Sequence, residues 1–320
     1  MITYDEACKI VKDKLCLRTE DRSYEELSEI LFGEGNCFNE SEVRKRMYGM
    51  KRLIEIIENG FEDNVATRIL SISDLHIPFQ KPIETFKKYR NTVDILQING
   101  DVQDCMSISK FTKLYRVSPM EEIIVAREYL ISLIEYLQPK TVVLNYGNHD
   151  LRFQNYLAKN LDNELLELMP KTSLELIVED GFTHYDKKRN TKIKYYPIKD
   201  NFTDIVFIYN DNWWSKIGNT IFCHPLSFSS MPMKTAENAM NYFHNMNMSF
   251  DTLVMAHTHR VGEYAIGAIS LYEQGCCCET KSMTYMDGKL TKPQKEGFIY
   301  ICQDKDGNLI REKTKLERLN

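Results

Sequence analysis

The chain has 320 residues, 43% hydrophobic and 27% charged, with a formal net charge of −5, the balance of a globular protein with room for one large domain and a small one. No run is long and apolar enough to cross a bilayer, and the start Met1-Ile2-Thr3-Tyr4-Asp5-Glu6 has neither a basic nor an apolar segment, so membrane and secreted classes are set aside and a cytoplasmic enzyme is expected. Nine cysteines, an odd number with three in a row at Cys276-Cys277-Cys278, suit a reduced compartment and not a disulfide framework.

Tyr24 to Phe32 reads as a short amphipathic helix, Gly33-Glu34-Gly35-Asn36 as a turn, and Glu40 to Glu58 as a longer helix with Asn39 as its N-cap. Helix, tight turn, helix is the pattern of a helix-turn-helix unit. The second helix carries Arg44, Lys45, Arg46, Lys51 and Arg52 where a recognition helix would present them to DNA. A second reading stays open, in which the hairpin packs on the enzyme or on another subunit of a homo-oligomer and its charges are merely solvated. The helical pattern stops near Asn59-Gly60, where Gly60 fits a helix C-cap, so the expected domains are residues 1–62, all helical, and residues 63–320.

Beyond that boundary, apolar strand-like runs end in polar clusters. Ser71-Ile72-Ser73 leads to Asp74-Leu75-His76, Ile95 to Asn99 leads to Gly100-Asp101, and Thr141 to Tyr146 leads to Gly147-Asn148-His149-Asp150. Asn219 to Cys223 leads to His224, with the Cys223 side chain facing the other way, and Asp251 to Ala256 leads to His257-Thr258-His259. Ser118-Pro119-Met120-Glu121 has the capping residue and first-turn proline of a helix running to about Leu137, a second helix follows Asp150 through about Leu168, and a third, Thr235 to Asn245, is expected to cover the site. After about Lys192 the chain is richer in strands. The cysteine triplet reads as a strand segment and residues 311–320 as a loose tail.

Asp74 and His76, two positions apart on an extended segment, point to the same side and can grip one ion. In α/β proteins ligands gather where strands end, so five such ends are expected to converge. Mixed imidazole, carboxylate and amide donors suit manganese, iron, zinc or nickel better than an all-oxygen magnesium site, and manganese is the ion expected. With Asp74 and Asp101 ionised, two divalent ions keep about +2 of charge, available to a phosphate ester. Arg152 and Arg260, each just after a motif, are candidate phosphate clamps, and Asp104 reads as a carboxylate behind the ligands.

The ordered set Asp74-x-His76, Gly100-Asp101, Gly147-Asn148-His149-Asp150, His224 and His257-x-His259 resembles the calcineurin-like metallophosphoesterase superfamily from about Ala66 onward. Ala256 and Cys223 stand where that pattern has glycine. The resemblance implies two facing mixed β-sheets flanked by helices. It implies Asp74, His76 and His259 on one metal, Asn148, His224 and His257 on the other, and Asp101 bridging. It also implies attack on phosphorus by a hydroxide held between the metals, with His149 near the leaving group and Asp150 orienting it. Small helical N-terminal modules of this look occur beside such enzymes in bacteriophages. The segment Gly100 to Cys105 lacks the Arg-Gly of protein serine/threonine phosphatases, and no secretory signal points to a purple acid phosphatase. SbcD-like nucleases and cyclic-nucleotide phosphodiesterases share the Gly-Asn-His-Asp form. The basic N-terminal helix favours a DNA phosphodiesterase, whereas the net charge of −5 favours a small nucleotide or phosphomonoester.

Overall fold

The computed structural model describes residues 3–17, 19–33, 38–58, 64–110, 116–283 and 294–319. It divides into two compact units, Met1–Asn64 and Val65–Asn320.

The first unit is helical: α1 (Tyr4–Lys12), α2 (Tyr24–Phe32) and α3 (Glu40–Glu58). Helix α1 was not expected from the sequence, although Thr3 and Glu6 form a capping box, with Glu6 N donating to Thr3 Oγ1 at 3.3 Å and Thr3 N to Glu6 Oε2 at 2.8 Å. Asn39 caps α3, its Oδ1 accepting from Glu42 N at 3.0 Å. Val43, Met47 and Ile54 share one face of α3 and bury it against Val11 and Leu27. The expected turn at 34–36 and the boundary at 59–60 lie outside the described residues.

The second unit is built on two sheets. The first has the order β13-β12-β1-β2-β3-β6: β1 (Thr67–Ile72), β2 (Ile95–Asn99), β3 (Thr141–Asn145) and β6 (Val206–Tyr209) run parallel, while β12 (Gly297–Gln303) and β13 (Lys315–Arg318) complete it antiparallel. The second has the order β10-β11-β9-β8-β7, with β8 (Thr220–Cys223), β9 (Thr252–Met255) and β11 (Ile269–Gln274) parallel, and β7 (Trp214–Ile217) and β10 (Val261–Ile266) antiparallel at its edges. A small hairpin, β4 (Phe182–Asp186) with β5 (Thr191–Tyr195), stands apart.

Alternation along the strands assigns each face. Leu70, Ile72, Leu96, Ile98, Val142 and Leu144 meet α4 (Pro119–Leu137). Ile69, Ile299 and Ile301 turn the other way and meet Phe222, Val254 and Tyr272 of the second sheet. The outer face of that second sheet packs Ile221, Cys223, Leu253 and Met255 against α8 (Lys234–Asn245). The result is helix, sheet, sheet, helix, the α/β sandwich expected.

Four elements differ from expectation. The helix after Asp150 breaks into α5 (Arg152–Asn160) and α6 (Asn163–Leu166), because Asp162 caps a new start by accepting from Glu164 N at 3.0 Å; a single turn, α7 (Ser173–Glu175), follows. The tail is not loose: β13 lines the sheet edge with Leu316 opposite Ile299, and Leu316 and Leu319 both pack inward. The cysteine triplet is no strand but makes two isolated bridges, Cys278 to Gln80 and Cys276 to Glu296. Helix α8 packs on the second sheet, its apolar face spent on that core.

Candidate metal centre

The polar motifs follow the carboxyl ends of β1, β2, β3, β8 and β9, all parallel strands, so their loops leave the two sheets on the same side. Toward that end the layer between the sheets turns from apolar to polar. Asn145 Nδ2 donates to Asn99 Oδ1 at 3.1 Å, and Asn99 Nδ2 to the Cys223 carbonyl at 3.1 Å. His224 Nδ1 lies 2.8 Å from the Asn99 carbonyl, which leaves Nε2 to face the centre.

Two glycines permit the close approach. A Cβ on Gly100, which has φ +82°, would lie 2.5 Å from His224 Nδ1, and one on Gly147 would lie 2.6 Å from the Asp101 backbone nitrogen. Gly147→Ala is therefore expected to push Asp101 out of place and lower activity about 100-fold, the scale of a misplaced catalytic group. Circular dichroism distinguishes this from unfolding, and activity within threefold of the parent would refute it.

At the centre, Asp74 Oδ1 lies 3.0 Å from His259 Nε2, and His259 Nε2 lies 3.1 Å from His76 Nε2. Asp101 Oδ2 lies 3.2 Å from His224 Nε2 and 3.8 Å from His76 Nε2, so its carboxylate reaches into both groups. Asn148 Oδ1 is 3.3 Å from His224 Nε2, and the His257 ring packs 5.3 Å from that of His224. One donor atom each from Asp74, His76 and His259 lie within 4.8 Å of one another, as do those of Asp101, His224 and His257.

The charges fit cation binding. Burial opposes ionisation of Asp74, yet His259 and His224 outweigh it and hold the carboxyl down to about 2. Asp101 is held well below the usual range against its burial by His224 and His149. Burial also opposes charge on His224, and Asp101 and Asp74 override it, raising that imidazole to about 9. His257, pushed down to about 3 by burial and the nearby His224, is neutral, and its buried Nε2 has no hydrogen-bond partner. Facing nitrogen and oxygen lone pairs with an orphaned imidazole nitrogen are what a bound divalent ion would satisfy.

The structure differs on what orients His149. Asp150 does not: burial and Asp101 push its carboxyl up to about 7, and it accepts from the backbone nitrogens of Gly147 and Asp101, both at 2.8 Å. It braces the loops. The carboxylate beside His149 is Asp104, whose Oδ1 lies 3.1 Å from His149 Nδ1 and 3.4 Å from His76 Nδ1. Sequence adjacency favoured Asp150; the three-residue step from Asp101 to Asp104 was the signal for the carboxylate that lies beside the ring. Arg152 donates from Nη1 to the Asp104 carbonyl at 2.7 Å and lies 2.8 Å from His149 Nε2, so it stands at the site. Arg260 does not serve as a clamp, because its guanidinium donates to the carbonyls of Ser229, Ser230 and Met231 and secures that loop. Ser73 was missed: its Oγ donates to Asp74 Oδ2 at 2.6 Å.

On the first unit, Arg44 and Lys45 are exposed, while Arg46 pairs with Glu42 at 3.1 Å and lies 4.0 Å over the Phe38 ring. Lys51 is half-buried, and the Arg52 side chain lies outside the described residues.

The model of one family, the calcineurin-like phosphoesterases, matches residues 67–261, more than half of the chain. This chain belongs to that family. As a calcineurin-like phosphoesterase it is a hydrolase of phosphoric esters, from a family that typically uses divalent metals, and it has side-chain groups that could hold them. Among solved structures, this phosphoesterase is similar to vacuolar protein sorting 29 from Cryptosporidium parvum, at 12% identity over 80% of this chain and 99% of the other, with a TM-score of 0.38. It is similar to a novel archaeal phosphodiesterase at 14% identity over 79% and 99%, TM-score 0.37, and to a metallophosphoesterase from Sphaerobacter thermophilus at 13% over 80% and 89%, TM-score 0.37. No curated protein matches it. Among the described residues no helix is long and apolar enough to cross a membrane.

Ion binding to the folded phosphoesterase has a thermal signature. Adding Mn2+ to chelated protein at 100 times its Kd is expected to stabilise it by about 2.7 kcal/mol and raise Tm by several degrees. An unchanged Tm in calorimetry would rule out a metal that binds only the folded site.

Proposed function

We propose that this chain is a phosphodiesterase acting on DNA, with Asp74, His76 and His259 holding one divalent ion, Asn148, His224 and His257 a second, and Asp101 shared between them. Manganese is the ion proposed, and iron, zinc or nickel also suit this donor set. Bound there, two divalent ions supply Lewis-acid neutralisation of phosphate charge and lower the pKa of water.

The chain's own residues do the rest. Arg152, 2.8 Å from His149, turns from that ring to a phosphate oxygen and binds it through its planar fork. His149 Nε2 is then free to hold the proton that passes to the leaving alkoxide, and Asp104 at Nδ1 steadies the cationic ring.

The observation carrying DNA as substrate is the exposed cationic pair Arg44 and Lys45 on α3, the second helix of a pair joined by residues 33–39. On this reading residues 1–62 form a recognition module and residues 63–320 the enzyme. A second reading, hydrolysis of a small nucleotide or phosphomonoester with the helical unit used for assembly, is favoured by the net charge of −5. It is also favoured by Phe228, 44% exposed with its ring 5.5 Å from that of His257, a surface on which one base can stack.

The test is kcat/KM of the manganese-loaded protein on bis-p-nitrophenyl phosphate against p-nitrophenyl phosphate, with Asp101→Asn as control. Preference for the diester, abolished in the control, supports a phosphodiesterase. Duplex affinity that weakens with salt and with Arg44→Ala/Lys45→Ala supports DNA. Preference for the monoester moves the second reading to first place.

A further inference from the structure

We propose that Cys276 and Cys278, with the outward nitrogen of His259, form a separate site for one thiophilic metal ion behind the phosphoesterase centre. One ring nitrogen of His259 and the Sγ atoms of the two cysteines lie within 4.8 Å of one another, and all three residues are buried. His259 commits Nε2 to Asp74 and His76, while its buried Nδ1 is left to the Cys276 thiol. Nδ1 is thus the nitrogen left for the sulfurs.

The triplet sorts its thiols by alternation. Cys277 joins the large apolar core, whereas Cys276 and Cys278 turn the other way into a small cluster with Met283. The bridges at Gln80 and Glu296 anchor both ends of the triplet, and Cys278 Sγ lies 3.2 Å from Met283 Sδ, which brings a thioether within reach as fourth donor.

One imidazole nitrogen, two thiolates and a thioether make a soft set that selects zinc or copper(I), unlike the nitrogen and oxygen donors on the other side of His259. Tetrahedral bonds of about 2.3 Å to sulfur and 2.0–2.1 Å to nitrogen imply edges of about 3.5–3.8 Å, so cysteine side-chain rotation has to close the cluster slightly. Coordination displaces the two thiol protons and the Nδ1 proton to solvent, making His259 an imidazolate bridge. Buried cysteines often act only as small apolar side chains. That role accounts for Cys277 but not for Cys276 and Cys278, whose sulfurs cluster with the buried His259 ring nitrogen.

Titration of the chelated, reduced full chain with Co2+ tests this. The expected result is a total of three ions bound, with a sulfur-to-cobalt charge-transfer band in the near ultraviolet; Cys276→Ser/Cys278→Ser should bind two and lose the band. Wild type that saturates without the band, or a band that survives in the double variant, overturns the proposal. The wild-type titration decides the matter even if the variant fails to fold. The inference rests on His259 Nε2 facing the phosphoesterase metals. Failure of that reading would remove ions without sulfur ligation and leave the band, whereas failure of this one removes the band together with one ion.

Discussion

Asp101→Ala is expected to lower hydrolysis of bis-p-nitrophenyl phosphate about 10³-fold, the upper end of what losing one stabilising group costs, and to strip both phosphoesterase metals together. The size follows from position. Asp101 lies nearer to both groups than Asp74 does to His224, 3.2 Å from His224 Nε2 and 3.8 Å from His76 Nε2 against 4.0 Å from Asp74 Oδ1 to His224 Nε2, and its Oδ1 also accepts from His149 N at 2.7 Å. Without it, His224 and His76 lose the anion between them while Asp74 remains to one side. Two positive ions would then meet one carboxylate and four imidazoles, with little to offset their mutual repulsion. Elemental analysis beside kcat/KM checks this. Retention of nearly two ions per chain would show that the centre does not depend on a shared carboxylate.

The backbone at this centre is itself under tension. Asp74 (φ 52°), His76 (φ 44°), Asp101 (φ 52°), His257 (φ 78°) and His259 (φ 51°) all adopt the left-handed region, which costs about 1–2 kcal/mol for each non-glycine residue. Sheets buried on both faces hold these loop bases in place, and the conformations aim the side chains inward. A variant that relaxed one of them would gain stability at the expense of the site.

That tension marks the limit of what could be read from residues alone. Buried strands are legible because their apolar runs are continuous, so the ends at Ile72, Asn99, Asn145, Cys223 and Met255 could be placed and their polar residues expected to converge. The edge strand at Lys315–Arg318 was not legible: four residues with a single inward leucine carry too little periodicity to separate a strand from a tail. Helix α1 was lost in the same way, although Thr3 and Glu6 announced it. Within the site, a sequence shows which residues are close along the chain but not which side chains share a pocket. Asp150 therefore stood in for Asp104, and Arg260 passed for a phosphate clamp although three loop carbonyls consume it.

The exchange of Asp150 for Asp104 gives His149→Ala a sharp expected outcome. The ring lies between the Asp104 carboxylate and Arg152, touching the outer side of the metal-facing residues, so its removal should leave close to two phosphoesterase ions in place. Loss of a positioned acid costs about 10²–10⁴-fold, expected in kcat with KM changed by less than about threefold, since Arg152 still binds phosphate. Asp104→Asn should fall between the parent and His149→Ala. It leaves a hydrogen-bonding group at His149 Nδ1 but removes the charge that steadies an imidazolium, so its loss should be larger for substrates with poorer leaving groups. A structural role for Asp104 would lower all substrates alike. Metal analysis decides the first point and a series of leaving groups the second: loss of ions from His149→Ala would make the ring a ligand, and a uniform loss in Asp104→Asn would remove the carboxylate from proton transfer.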